Sequence, residues 1–329
     1  MPNILTAGSQ YRAVKTGNIT IPFNSGNVSA VELPRTLFKK RVTIRLSGTV
    51  SVTVAGSAVV AEAPGRLIRK IEIVGDGVKT YVSQPGLDLF RLAHVLEGKQ
   101  PELIGPATAG VQTNTPISMT IPVHFEATRM RSPVDSYMDP RGFESVQLRI
   151  TWGTIADIIT GGTATVNAGT QVDVISSDTA IGEDNIAYRR LLLYDENVIA
   201  GASTQLPFNI PRNGLLAGIL FHADVDLAPN DALINFISIK SDNVNVHADR
   251  MAYETLRKGN VVDYQIDSST FGNGINGYVF LDLTEDGMIS SALNTYNLNT
   301  LQVLYDVNAT GSARFIRQNY IFYEPINVG

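Results

Sequence analysis

The stretch Arg66–Tyr81, RLIRKIEIVGDGVKTY, has the pattern of a strand, a tight turn and the start of a second strand. Ile71 and Ile73 alternate with charged neighbours, which is the period of a strand with one buried face. The turn residues Gly75–Gly77, GDG, readily adopt the positive φ angles that a hairpin needs. The stretch therefore predicts a β-hairpin that places both isoleucines in a core.

A second stretch, Ala232–His247, ALINFISIKSDNVNVH, matches the first without a gap 166 residues later. Six of the sixteen positions are identical, and they fall on apolar positions and on the turn. The identical pairs are Leu67/Leu233, Ile68/Ile234, Ile71/Ile237, Ile73/Ile239, Asp76/Asp242 and Val78/Val244. A repeat at about half the length of a 329-residue chain predicts one domain that is built twice.

Other segments occur in the same order in both halves. The predicted elements of the first half are strands at Arg41–Ala55, Ile117–Phe125, Phe143–Trp152 and Thr170–Ser176 and a helix at Leu87–Glu97. Those of the second half are strands at Leu215–Leu227, Tyr278–Leu283, Leu298–Val307 and Arg314–Tyr323 and a helix at Asp249–Lys258, ended by Gly259. We also match the IPFN of Ile21–Asn24 with the LPFN of Leu206–Asn209.

Many short strands and one helix per half favour an all-β protein made of two tandem eight-stranded antiparallel jelly rolls. Residues 1–34 are polar and rich in Gly, Asn and Ser, and they predict an N-terminal arm. Residues 35–180 and 181–329 then form the two jelly rolls, with the boundary in the polar linker Ser176–Asn185.

The composition limits the function. A net charge of −5 gives no electrostatic basis for binding nucleic acid, and the chain has no Cys, which excludes disulfides and thiolate chemistry. The N-terminus lacks the basic and apolar pattern of a signal peptide, and no stretch approaches the roughly 20 apolar residues of a membrane span.

Two motif matches do not indicate an active site. The run Gly272–Gly277, GNGING, fits GxGxxG, but a nucleotide site needs a helix after the glycines and here a strand is predicted. The boxes Ser241–Asn243 and Lys15–Gly17 are similar to those of serine β-lactamases, but their order is wrong and no Ser-x-x-Lys is present.

Titratable and aromatic residues give weak candidates. The histidines His94, His124, His222 and His247 occur singly, which favours structural roles over a zinc site. Asp224, Asp226 and Asp231 offer oxygen ligands, and whether they bind Ca²⁺ is left open, although a solvated turn is the simpler interpretation. The aromatic residues Phe315, Tyr320, Phe322 and Tyr323 fit a sugar platform or, more simply, a packed strand. The sequence thus predicts no catalytic, cofactor or metal site.

The run Gly65–Lys99, GRLIRKIEIVGDGVKTYVSQPGLDLFRLAHVLEGK, resembles a strand–turn–strand–helix segment of double jelly-roll major capsid proteins. These proteins form the shells of tailless icosahedral viruses, many of which have an internal membrane. Because its loops are short, the chain resembles most the small members of the family, which belong to bacterial viruses. The resemblance implies a homotrimer whose six lobes form one pseudo-hexagonal capsomer.

The resemblance also implies partners and a location. The partners are further copies of the chain in neighbouring capsomers, penton and minor capsid proteins, and no sequence-specific nucleic acid. For the N-terminal arm, contact with an internal viral membrane and docking on a neighbouring trimer are both open, and the two basic residues Arg12 and Lys15 are too few for a membrane anchor, which favours docking. The location is the virion, with assembly in the host cytoplasm.

Two alternatives to a structural capsid subunit stay open. A carbohydrate-binding spike or adhesin requires exposed aromatic side chains that converge on a groove. A glycoside hydrolase requires paired carboxylates on facing strands, for which Glu72 and Glu144 are the candidates. Both carboxylates are also the ordinary polar alternates of their strands.

Overall fold

The computed structural model describes residues 14–54, 58–105, 110–180, 186–242, 244–245, 249–284 and 286–326. Two lobes follow each other along the chain, at residues 14–180 and 186–326, and each has the strands of an antiparallel jelly roll. This confirms the predicted double jelly roll.

The strands and helices of lobe 1 are β1 (Val14–Pro22), β2 (Val28–Glu32), β3 (Phe38–Val52), β4 (Ala58–Val59), α1 (Ala63–Arg66), β5 (Ile68–Gly75), β6 (Lys79–Gln84), α2 (Gly86–Glu97), β7 (Leu103–Ile104), β8 (Gln112–His124), β9 (Val146–Trp152), β10 (Ile159–Thr160), β11 (Ala164–Val166) and β12 (Gln171–Thr179). Short 3₁₀ turns lie at Pro133–Ser136 and Ile155–Asp157.

The strands and helices of lobe 2 are β13 (Tyr188–Val198), β14 (Ser203–Asn209), β15 (Leu215–Val225), β16 (Ala228–Pro229), β17 (Ile234–Ser241), β18 (Val244–Asn245), β19 (Met251–Ala252), α3 (Tyr253–Asp263), α4 (Ser268–Phe271), β20 (Tyr278–Asp282), β21 (Leu293–Asn294), β22 (Leu301–Val307) and β23 (Arg314–Pro325). A 3₁₀ turn lies at Ile289–Ser291.

The strand order is the same in both lobes. In lobe 1 the sheet β1-β12-β3-β8 packs on the sheet β2-β9-β5-β6, and in lobe 2 β13-β23-β15-β20 packs on β14-β22-β17-β18. The register is repeated as well. Ile71 and Ile73 of β5 lie opposite Ile150 and Leu148 of β9, whereas Ile237 and Ile239 of β17 lie opposite Tyr305 and Val303 of β22. All eight of these side chains are buried, because the alternating apolar face of each strand points into its lobe.

The two hairpin turns of the repeat also keep the same geometry. Asp76 and Asp242 both have φ of 49°, a left-handed conformation that Asp tolerates better than most residues. Each carboxylate accepts a hydrogen bond from a backbone N–H next to the neighbouring strand, at 2.8 Å from Ser145 and 2.9 Å from Thr300. The turn therefore fixes strand pairing in each lobe, which explains why the aspartate recurs.

The lobes are joined through one continuous sheet. The β2-β9-β5-β6 sheet of lobe 1 and the β13-β23-β15-β20 sheet of lobe 2 belong to one ten-stranded sheet. In it β6 meets β13 in parallel at Val82 and Leu192. The side-chain amide of Gln84 donates to the Leu193 carbonyl at 2.9 Å across this junction. Each lobe has its own hydrophobic core, and the core of lobe 1 extends to residues of lobe 2 such as Phe280 and Ile321.

The equivalent helices of the two lobes differ in burial. In α2 every residue from Gly86 to Leu96 is buried, and the helix ends at Gly98, whose φ of 70° suits a C-terminal glycine. In α3 only Tyr253 and Asn260 are buried. Because α2 contacts β15 and β20, lobe 2 covers the side of α2 that faces away from lobe 1.

Two predictions for the N-terminal region and its match in lobe 2 differ from the structure. Residues 14–32, placed in the arm because they are polar, form β1 and β2, which lie at sheet edges where one face stays exposed. The match of Ile21 with Leu206 is wrong, because these residues lie in β1 and β14, and the equivalent of β1 is β13. Residues 1–13 lie outside the described residues.

The predicted end of the second helix at Gly259 is also wrong, because α3 runs from Tyr253 to Asp263. The side-chain amide of Asn260 donates to the Phe280 carbonyl and accepts from the Phe280 N–H, both at 2.8 Å. This pair of bonds holds the helix against the edge of β20 beyond Gly259, so the glycine does not terminate it.

Candidate functional site: the seam between the lobes

A cluster of buried charges lies where α2 meets lobe 2. The His222 Nδ1 lies 2.8 Å from an oxygen of Asp88, and its Nε2 lies 3.6 Å from an oxygen of Asp224. The side chains of all three residues are fully buried. The imidazole thus lies between two carboxylates, one from each lobe.

Two arginines complete this charge cluster. Arg66 of lobe 1 donates to Asp224 at 2.7 Å, and Arg317 of lobe 2 lies 3.7 Å from Asp88. Burial raises the pKa of Asp88, but His222 and Arg317 outweigh it and hold that pKa below its usual range. The carboxylate therefore stays charged, and each lobe supplies the counter-charge for the other.

A second network lies beside the first on α2. Arg91 pairs with Glu62, and the Tyr278 hydroxyl of lobe 2 lies 3.5 Å from the same carboxylate. His94 is fully buried, with its Nδ1 3.0 Å from Arg91. Burial and the neighbouring guanidinium lower the pKa of His94 to about 4, so this imidazole is neutral near pH 7.

One arginine joins the ends of both helices. Arg129 donates to the Leu96 carbonyl near the C-terminus of α2 and to the Asp263 and Tyr264 carbonyls at the C-terminus of α3, at 2.6, 3.1 and 2.5 Å. These carbonyls lack helical partners, and the negative ends of two helix dipoles meet there. A single cation therefore stabilises both termini and links lobe 1 to lobe 2.

The charged groups of the seam fit a structural role. The groups of the charge cluster neutralise one another, and Asp88, His222 and Asp224 have no solvent-accessible side-chain surface. A substrate does not reach them, and their polar groups hold the lobes in one orientation.

The candidate residues from the sequence do not come together. Asp224 lies in the buried cluster, Asp226 accepts from the Ser312 and Ala313 N–H groups, and Asp231 binds Gly277 and Arg257. Each carboxylate thus has its own protein partner. Within the described ranges, no group of three or more His, Asp or Glu side chains has the geometry of a metal site.

The histidines are likewise separate. His124 lies between Glu97 and Glu126, at 2.8 and 3.0 Å, whereas His94 and His222 lie in the two networks of the seam. His247 lies outside the described residues.

The remaining motifs have structural roles. The glycines from Gly272 follow the short helix α4 and precede strand β20, so the arrangement of a nucleotide site is absent from this part of the structure. Glu72 pairs with Lys70 at 2.8 Å, and Glu144 is exposed in the loop before β9. The aromatic residues of β23 that are fully or almost fully buried are Tyr320, Phe322 and Tyr323. This strand is a core strand, and it does not present a sugar platform.

Sequence reasoning missed the seam. The available signal was a charged residue within an apolar run, as for Asp88 between Leu87 and Leu89 and for His222 next to Phe221. Such residues need buried partners. Pattern alone does not identify those partners, because they lie more than 130 positions apart in the sequence.

No protein-family model and no curated protein matches this sequence. Solved structures do match it over nearly its whole length. The STIV major capsid protein aligns with a TM-score of 0.74 and 12% identity, covering 95% of this chain and 96% of that one. The major capsid protein of Bacteriophage PM2 aligns with a TM-score of 0.60 and 12% identity, covering 94% and 99%. A PBCV-1 virus capsid chain aligns with a TM-score of 0.61 and 10% identity, covering 95% and 93%.

The chain therefore has the fold of double jelly-roll major capsid proteins, and the predicted resemblance is confirmed at the level of structure. The TM-scores do not rank the bacterial-virus protein above the others. In the part of the chain that the structure describes, no helix is long and apolar enough to span a membrane.

Proposed function

We propose that this chain is a major capsid protein that assembles into homotrimeric, pseudo-hexagonal capsomers of an icosahedral shell. The observation that carries the proposal is the duplication of one jelly roll with the same strand order and register in a single chain. Three such chains in a ring present six similar lobes. One gene product then fills a nearly six-fold lattice position.

The difference between the two helices supports a ring. Lobe 2 covers α2, whereas the equivalent helix α3 exposes Glu254, Lys258 and Val262. Val262 is 77% exposed on this uncovered face of the helix. We expect lobe 1 of the next copy to cover α3, as lobe 2 covers α2 within one chain.

The role in this proposal is structural and non-enzymatic, and the location is the virion after assembly in the host cytoplasm. The buried, mutually neutralised charges of the seam support this role, because they offer a substrate no access. Neighbouring capsomers, penton proteins and minor capsid proteins are the proposed partners. Residues 1–13 precede an edge strand, a position that suits contact with a neighbouring capsomer or an inner membrane.

Mass measurement by light scattering tests the trimer. We expect a mass three times the 35.6 kDa of one chain at micromolar concentration. Val262→Glu places a charge in the proposed interface. This variant should therefore have the mass of one chain and still unfold cooperatively as a folded monomer. Val78→Glu is the matched control, because Val78 is 87% exposed on the hairpin turn of lobe 1.

A parent protein that stays at the mass of one chain contradicts the trimer. Electron microscopy of the concentrated protein tests the shell separately, since curved hexagonal arrays are expected from a capsid protein. Isolated particles that bind glycans would favour the spike alternative instead.

A further inference from the structure

A cavity of about 350 Å³ lies beside the seam and has an aromatic wall. Its walls include the rings of Tyr81, Phe125, Tyr137, Phe143 and Tyr188. The exposed residue Gly142 also lines it. This size and lining are typical of a site for a small organic molecule, which usually adds a few placed polar groups to apolar walls.

Arg190 supplies a buried cationic group to this cavity, whose charged lining also includes Asp139 and Arg189. It is 3% exposed, and it lines both this cavity and a neighbouring one of about 270 Å³. Its guanidinium donates to the Glu126 carbonyl and lies 6.0 Å from the centre of the Tyr323 ring, whereas its Nε has no hydrogen-bond partner. A buried guanidinium with an unused N–H group therefore lines the cavity.

The charges around Arg190 do not neutralise it. Asp139 pairs with Arg141 at 2.9 Å, and Glu324 pairs with Arg189 at 2.8 Å. The carboxylate of Glu126 is engaged by Lys40 at 3.1 Å and by His124 at 3.0 Å. Among the residues that the structure describes, no carboxylate lies within 4.0 Å of the Arg190 guanidinium.

An unpaired buried charge is strongly destabilising unless a counter-charge reaches it. A guanidinium binds a carboxylate through two parallel hydrogen bonds. We propose that the cavity binds a small amphipathic carboxylate, with the carboxylate on Arg190 and the apolar part against Tyr81 and Phe125. The seam between the lobes is then a ligand site as well as a structural junction.

Binding of 3-phenylpropionate to the whole protein tests the proposal, with the uncharged 3-phenylpropionamide as the matched probe. We expect calorimetry to give the carboxylate a dissociation constant of about 1 mM or tighter, and the amide at least tenfold weaker binding. The carboxylate should also raise the melting temperature in a concentration-dependent way.

Arg190→Met removes the charge and keeps most of the side-chain length, so it should weaken carboxylate binding at least about tenfold. Arg69→Met is the control, because Arg69 pairs with Asp157 on an exposed surface and should bind the probe like the parent. If Arg190→Met does not fold, Arg190→Lys tests the same point. Its ammonium keeps the charge but loses the planar guanidinium, so carboxylate binding should weaken without being abolished.

Three results overturn the proposal: equal binding of the acid and the amide, unchanged affinity in the Arg190 variants, or no binding by the parent.

Discussion

The helices α2 and α3 follow equivalent strands in two lobes of the same strand order, yet α2 is enclosed and α3 is largely exposed. The strand registers that set each jelly roll are the same in both lobes. On α2, Asp88 pairs with the buried His222 of lobe 2, and Arg91 pairs with Glu62 and lies over the Tyr278 ring of lobe 2. The comparison teaches that the repeat preserves the strand pairing that builds each lobe. The burial of each helix depends instead on what packs against its lobe.

The equivalence of the two cores is tested by Ile71→Asp and Ile237→Asp. Each side chain is fully buried in equivalent strands, so each change places an unpaired carboxylate in a core. Both should lower the free energy of unfolding by roughly 4 kcal/mol or more. Urea unfolding measures the loss. Val244→Asp, at the exposed turn of lobe 2, should change stability by less than about 0.5 kcal/mol. A large loss in one lobe only would break the equivalence.

The difference between the helices is tested at Asp88. Asp88→Ala removes the buried carboxylate that lies within hydrogen-bond distance of His222 and balances the charge of Arg317, and it should cost about 3 kcal/mol. Glu254→Ala on α3 is the matched change, because this exposed carboxylate pairs with Lys258 at the helix surface. It should leave the stability nearly unchanged, because solvent screens an exposed ion pair. Thermal unfolding compares the two, and equal losses would show that the seam charges contribute no more than a surface pair.

Acid sensitivity should reside in lobe 1. His94 has a pKa of about 4 in the folded protein and an ordinary value of 6.5, so the unfolded chain binds the additional proton. Stability from this group is complete above pH 6.5 and is lost as the pH falls toward 4, by about 2 kcal/mol between pH 7 and pH 5. In His94→Gln that slope should disappear from urea unfolding measured across this range. An unchanged slope would locate the acid sensitivity elsewhere.

The smallest expected effects have opposite signs in the two helices. Gly259 lies within α3, and an added Cβ comes no closer than 3.8 Å to Asp263, so Gly259→Ala should stabilise the protein by about 0.5–1 kcal/mol. Gly98 ends α2 with a positive φ, and a Cβ there would lie 2.5 Å from the Tyr264 carbonyl oxygen of lobe 2. Gly98→Ala should therefore destabilise by about 1 kcal/mol or more. Melting temperatures that move in the same direction would contradict the comparison.

The duplicated fold could be predicted from the sequence because strand pairing depends on short-range patterns of apolar and turn residues. Alternating isoleucines and the turn aspartates Asp76 and Asp242 are short-range signals, and the structure confirms the positions they predicted. The edge strands β1 and β2 were missed, since polar strands with one exposed face resemble loops in composition. The seam was missed because its ion pairs depend on how the two lobes pack.

The enclosure of α2 has a consequence for protein synthesis. All strands of lobe 1 have been translated once residue 179 leaves the ribosome, but the cover of α2 is made by β15 and β20 of lobe 2. At about 5–20 residues per second, residues 180–282, which complete β20, take roughly 5–20 s to appear. During that interval the nascent first half exposes an apolar helix and an Asp88 that lacks its partners from lobe 2. Binding of a chaperone to this helix would protect the chain until its second half arrives.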